Sequence, residues 1–137
     1  MTFYKYQGTG NDFVIVDNRL QYINKKDTKR IATLCDRRFG IGADGFILLE
    51  NDKNVDFKMV YYNADGNEST MCGNGGRCIV AFAKFLNIIE NETEFIAIDG
   101  LHKAKIEDGL VHLQMQDVSE IESYENHMFL DTGSPHH

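Results

Sequence analysis

Residues 73–86 read G-N-G-G-R-C-I-V-A-F-A-K-F-L, and this stretch limits what the chain can fold into more than any other. A glycine-rich turn, Gly73-Asn74-Gly75-Gly76, opens into a helix where Ile79, Val80, Ala81, Phe82, Ala83, Phe85 and Leu86 leave only Lys84 to mark a wet side. A helix that is apolar on nearly every face is buried all round, enclosed by other elements rather than laid on a surface. Its first backbone N–H groups have no partner within the helix and carry the positive end of the dipole. Cys72 stands at that end, where a thiolate is favoured over a thiol. The N–H groups of the glycine turn also offer a seat to a carboxylate.

Cys72 has a plainer reading as a small buried hydrophobe, the commonest fate of a free cysteine. The polar loop before it and the Gly-Asn-Gly-Gly run after it favour a reactive role, since a core cysteine needs neither. Cys78, inside the helix, and Cys35, on an amphipathic stripe, read as core residues. A metal site is not expected, because neither C-x-x-C nor a histidine pair at ligand spacing is present.

In chain order, Phe3 to Tyr6 is a short β-rich segment leading into the turn cluster Gly8-Thr9-Gly10-Asn11. Asp12 to Asp17 reads as a strand covered on both faces, because the apolar run between its two aspartates is continuous. Asn18 to Lys26 is a polar connection. Asp27 or Thr28 can cap a helix carrying Ile31, Leu34, Cys35 and Phe39 on one stripe, with Gly40 as its stop. Gly40-Ile41-Gly42-Ala43-Asp44-Gly45 is a second glycine loop, feeding a strand at Phe46 to Leu49. Val55, Phe57, Met59 and Tyr61 alternate as a strand that ends on Asn63. Glu94 to Asp99 is a strand, and Ala104 to Ile106 pairs with Val111 to Met115 through Glu107-Asp108-Gly109, a strong hairpin signal. Gln116 to Met128 loses regular period and reads as a crossing between two units. Phe129-Leu130-Asp131 starts a new strand, and Thr132 to His137 reads as a loop whose abrupt end predicts a piece of something longer.

At 137 residues, with 42% hydrophobic and 26% charged residues, the proportions are globular. A chain of this size buries about 68% of its unfolded surface. The net charge of −7 is spread without a basic cluster, so neither nucleic acid nor an anionic membrane is an expected partner. There is no basic n-region with an apolar run behind it, and no apolar stretch of the ~20 residues a membrane helix needs. Three cysteines without an export signal fit a reducing cytoplasm.

Gly40-x-Gly42-x-x-Gly45 precedes a strand, whereas a dinucleotide fingerprint follows one, so no nucleotide cofactor is expected. Asn11, Asn63 and Asn74 all fall in loops at element ends. Singly, each reads as a turn or cap residue; beside a thiolate, the three amides could orient the charged ends of a small polar ligand. His136 reads either as a solvated residue or as the proton partner of Cys72.

The blocks Gly8-Thr9-Gly10-Asn11-Asp12-Phe13, Gly40-Ile41-Gly42-Ala43-Asp44-Gly45, Tyr62-Asn63-Ala64-Asp65-Gly66, Met71-Cys72-Gly73-Asn74-Gly75-Gly76-Arg77-Cys78 and Thr132-Gly133-Ser134-Pro135-His136 resemble the diaminopimelate epimerase family in order and spacing. The Met71–Cys78 block is the most specific. The resemblance implies an α+β fold of two similar lobes, each a mixed sheet or barrel curled around a central buried helix, with substrate between them. Residues 1–115 would supply the first lobe, and 116–137 a crossing segment with the opening strand and loop of the second. The implied reaction is cofactor-independent epimerisation of LL-diaminopimelate to meso-diaminopimelate, in lysine and peptidoglycan precursor synthesis. Two cysteines on opposite faces act as base and acid. Cys72 would be one, with His136 as its proton partner and with Asn11, Asn63, Gly73 and Asn74 holding the amino-acid substrate. The second cysteine would lie in a part of the second lobe absent from this chain, leaving the chain inactive alone. The resemblance also suggests a homodimer. Related activities remain open, namely racemisation of another amino acid, isomerisation of a small acid, or a non-catalytic half-domain. Two positions depart from the family pattern: Ser134, where Asn is frequent, and Gly45, where some members carry Gln.

Overall fold

In the computed structural model, residues 1–70 and 73–114 are described in full, and 121–124, 127–131 and 135–136 as strands. Among the described residues the chain forms ten strands and two helices. Strands β1 (Tyr4–Gly8), β2 (Asn11–Asp17), β3 (Gly45–Glu50), β4 (Phe57–Asn63), β5 (Glu92–Ala97), β6 (Gly100–Glu107) and β7 (Leu110–Gln114) lie side by side in chain order in one sheet. The pairs β2/β3 and β4/β5 are parallel, and the other neighbours are antiparallel. Each parallel pair needs a crossover. Helix α1 (Thr28–Cys35) makes the first and α2 (Gly73–Phe85) the second.

Alternation along the strands sends side chains to two separate cores. Phe13 and Ile15 of β2, Ile47 and Leu49 of β3, Phe57 and Met59 of β4 and Phe95 of β5 pack with Ile79, Val80, Phe82 and Ala83 of α2. Val14, Val16, Phe46, Leu48, Val60 and Tyr62 point the other way and pack with Ile23, Ile31 and Cys35 around α1. This explains why β2 and β3 are apolar without interruption. Helix α2 touches β1 and β7, the two edges of the sheet, as well as β2 and β3. A sheet can meet one helix with both edges only if it curls around it, so the architecture is a mixed sheet wrapped on a central helix.

Several boundaries differ from the sequence reading for identifiable reasons. The Gly73-Asn74-Gly75-Gly76 stretch is the first turn of α2 itself rather than a turn before it, and Gly75 and Gly76 are buried. The helix is not enclosed all round: Phe85 is 59% exposed beside the exposed Lys84, with Tyr4 of β1 meeting the edge of its ring. Asp27 does cap α1, its side chain accepting the Arg30 N–H. The helix ends at Cys35, however, and not near Gly40. Asp36 turns extended and its Oδ1 accepts the N–H groups of Arg38 and Phe39, which pulls Phe39 off the stripe and leaves it 79% exposed. Gly40 then passes over the helix end, where a Cβ would lie 2.0 Å from the Thr33 carbonyl oxygen.

Strand β5 stops at Ala97, and the next two residues turn the chain into β6. Asp99 in that turn sits 2.7 Å from Nε2 of the buried His102, which gives the imidazole a partner inside an aromatic row with Phe95 and Phe57. The β6–β7 hairpin has the expected two-residue connection, with φ of 52° at Asp108 and 78° at Gly109. Beyond the sheet, β8 (Ile121–Tyr124), β9 (His127–Asp131) and β10 (Pro135–His136) form a separate three-stranded sheet in the order β10-β9-β8. The aperiodic crossing therefore contains a strand, and His136 lies in β10, paired through its Cα with Leu130, rather than in an open loop.

Candidate active site

One rim of the curled sheet gathers the sequence motifs. Asn11 opens β2, Gly45 opens β3 and Asn63 closes β4; Gly45 is the register partner of both Phe13 and Asn63. The start of α2 comes up to the same rim: a Cβ on Gly8, paired with Asn11, would lie 3.4 Å from the Asn74 carbonyl oxygen. The three asparagines are thus the end residues of elements, or the second residue of one in Asn74, and not loop residues.

Asn11 and Asn74, 63 residues apart, are in direct contact, the Asn74 Nδ2 donating to Asn11 Oδ1 at 2.7 Å. Asn74 Oδ1 accepts from the Arg77 guanidinium one helical turn on. Asn11 Nδ2 in turn donates to Asp44 Oδ2 at 3.4 Å. Asn63 is exposed two strands from β2, level in register with Phe13 through Gly45. Its N–H donates to the Asn67 carbonyl and its carbonyl accepts from Gly66, closing the turn that follows β4. Gly73 and Asn74 are half-buried, and no acidic residue occupies the first turn of α2, so its N-terminal dipole is not neutralised within the helix. Cys72 lies outside the described residues, as does the side chain of His136. The Tyr61 ring lies over Gly45, where a Cβ would be 2.9 Å from Tyr61 Oη and would require that side chain to shift.

Beneath these amides is a charged cluster that sequence reading did not single out. Asp12 accepts from both Arg37 nitrogens, at 2.8 and 3.1 Å, and from Lys5 at 2.8 Å. Arg37 also reaches Asp44 at 3.0 Å, and Lys5 donates to the Gly42 carbonyl. The Asp12 N–H donates to Asp44 Oδ2, and the Asp44 N–H donates back to Asp12 Oδ1. The Arg37 hydrogen bonds, then that of Lys5, hold the Asp12 carboxyl far below the ordinary carboxylate range. The hydrogen bond to Asp12, then that to Asp44, raises Arg37. These contacts clamp the glycine loop to the first residues of β2 and β3. Asp12 and Asp44 stand inside the two glycine motifs, which was the available signal; Arg37, 25 residues from Asp12, gives none locally.

Cys35 and Cys78 are both buried, as expected of core residues. Burial pushes the Cys35 thiol up to about 11, so it stays protonated at neutral pH. Among the described residues no three His, Cys, Asp or Glu side chains gather closely enough to hold a metal ion, and no helix is long and apolar enough to cross a membrane.

Comparison with known proteins bears on the family and the fold. A family model described as diaminopimelate epimerase matches residues 3–121. A diaminopimelate epimerase of Flavobacterium psychrophilum is 68% identical over 138 aligned residues, covering 100% of this chain and 54% of the relative. One from Chlorobaculum tepidum is 41% identical, covering 94% of this chain and 53% of the relative. The chain spans about half the length of these curated relatives. A crystal structure of a hydroxyproline epimerase from Agrobacterium vitis superposes with a TM-score of 0.57 at 14% identity, over 93% of this chain and 46% of that one. At that identity the likeness is one of fold, a strand-wrapped helix of the same kind. A family model matched over nearly the whole described sheet, on a rim where motifs distant in sequence converge, means that the chain belongs to the diaminopimelate epimerase family.

Proposed function

We propose that this chain provides one lobe, residues 1–115, of a pyridoxal-phosphate-independent diaminopimelate epimerase, with residues 116–137 leading into a second lobe. The observation that carries the reading is the Asn74–Asn11 contact at 2.7 Å. It joins the start of the helix that follows Cys72 in the sequence to the first glycine motif, so that amide donors distant in the chain share one rim. In this reading Cys72 is the base or acid on one face of the substrate α-carbon and His136 exchanges the proton with it. Asn11, Asn63, Gly73 and Asn74 hold the substrate's charged ends.

The chemistry demands such a site. The α-hydrogen of an amino acid is a poor acid, so its removal needs a thiolate close by and donors that meet the charge developing on the adjacent carboxylate. Backbone N–H groups at the start of α2 supply those donors at no reorganisation cost, and the helix dipole favours both the thiolate and the carboxylate. Inversion further requires a second acid on the opposite face, which family resemblance assigns to a cysteine of the second lobe. The chain by itself is therefore expected to catalyse no epimerisation. A reduced cytoplasmic location suits a mechanism that depends on a free thiol, and a homodimer is part of the same proposal.

The test is substrate choice by the protein carrying this chain. Interconversion of LL- and meso-diaminopimelate, followed by chiral chromatography, should proceed at least about a hundredfold faster in kcat/KM than racemisation of L-proline, as expected where a site pairs with a polar group one substrate lacks. Turnover of proline with none of diaminopimelate would reverse the assignment.

A further inference from the structure

Carboxamides can face either way, but their orientation at this rim is forced from both ends. The Arg77 guanidinium has donors only, so Asn74 must present Oδ1 to it. Asn74 then turns Nδ2 to Asn11, which must answer with Oδ1, at 2.7 Å. That leaves Asn11 Nδ2 facing Asp44 Oδ2, and an ionised carboxylate only accepts. Arg37, 3.0 Å from Asp44 Oδ1, keeps that carboxylate in place. A donor-only group at one end and an acceptor-only group at the other make the row Arg77, Asn74, Asn11, Asp44 read in a single direction. In that direction, among the described residues, both amide oxygens already face donors. Each Nδ2 keeps one hydrogen that no described residue takes.

We propose that Arg77 and Asp44 are positioning residues that fix the Asn74 and Asn11 carboxamides as donors toward a substrate carboxylate. This deepens the reading of the site given above and rests on it for the identity of the carboxylate. Neither residue touches the reacting carbon in this role. Each acts through an asparagine, and either end alone still polarises the row, which gives the proposal a distinctive signature.

The experiment compares Arg77→Gln, Arg77→Lys, Asp44→Asn and the double variant Arg77→Gln/Asp44→Asn in the protein carrying this chain. Gln and Asn can donate or accept, so they release the direction; Lys keeps a donor-only end. KM for diaminopimelate should rise by about tenfold or less in each single Gln or Asn variant, the scale of one weakened hydrogen bond. It should rise more than the product of the two in the double variant, the mark of coupled residues. kcat should change less than about threefold throughout, as for an interaction made equally in ground and transition states. Arg77→Lys should restore the wild-type KM. A double variant no worse than the product, or an Arg77→Lys/Asp44→Asn variant no better than Arg77→Gln/Asp44→Asn, would overturn the proposal. The side-chain amide signals of Asn11 and Asn74 in ligand-free, 15N-asparagine-labelled protein provide a second measurement. In the wild type they should stand apart from the positions of a solvated carboxamide, and in the double variant alone they should move to those positions. Unchanged signals in the double variant would also overturn it. Because this measurement involves no turnover, a protein that ignores diaminopimelate would sink the functional reading while the amide signals still decide the role of Arg77 and Asp44.

Discussion

At Gly66 the chain has φ +87°, and a Cβ would lie 2.1 Å from the Thr28 carbonyl oxygen. Backbone meets backbone there, so no rotamer can relieve the clash, and the turn after Asn63 is tied to the first residue of α1. Gly66→Ala should lower stability by about 2 kcal/mol or more in denaturant titration. Gly109→Ala should cost about 1 kcal/mol, because its φ is +78° but nothing lies within 4 Å of the added carbon. The glycines were visible in the sequence as punctuation, and that was enough to place the turns. Which of them is irreplaceable was not visible, since the reason is an approach by a residue 38 positions away. The same limit applied to the site. Asn11, Asn63 and Asn74 stood out by motif, but the contact of Asn11 with Asn74, and the supporting roles of Arg37 and Arg77, depend on which elements are neighbours.

Among the elements, α2 carries the packing. Phe82 is fully buried, with its ring centroid 5.0 Å from Tyr4 and 5.7 Å from Tyr6 of β1, whereas Phe85 on the same helix is mostly exposed. Phe82→Ala should therefore cost about 3–5 kcal/mol. Phe85→Ala, which loses an edge contact with Tyr4 at 5.5 Å, should cost about 1 kcal/mol. Equal effects would mean that the sheet encloses the helix on all sides. Composition identified this helix and its need of a surrounding sheet. It could not show that the sheet leaves one face open, because apolar content says how much surface must be covered and not which strand arrives to cover it. The continuous apolar runs of β2 and β3 did carry full information, since two-sided burial leaves its pattern in every residue. For α1 the stripe was read too far, as the Asp36 side chain diverts the chain by local hydrogen bonds that periodicity does not register.

Considered as a whole, the molecule has an acid-sensitive clamp between its glycine loop and its sheet. Asp12 is held below its ordinary range by Arg37 and Lys5, and Asp17 is lowered by Arg19. A carboxyl with a depressed folded-state value contributes stability above its unfolded value of about 4 and loses it as pH falls through the folded one. The denaturation midpoint should therefore hold near neutrality and drop below about pH 4, and Asp12→Asn should flatten that drop. The claim on which the functional reading depends is that the sulfur of Cys72 handles the α-proton of an amino acid bound at the rim. Incubating the protein that carries this chain with diaminopimelate in deuterium oxide tests it directly, by mass spectrometry of the α-position. The expected result is steady deuterium incorporation in the wild type and a loss of at least about a thousandfold in Cys72→Ala, as when an activated nucleophile or base is removed. Incorporation at the wild-type rate in Cys72→Ala would contradict it.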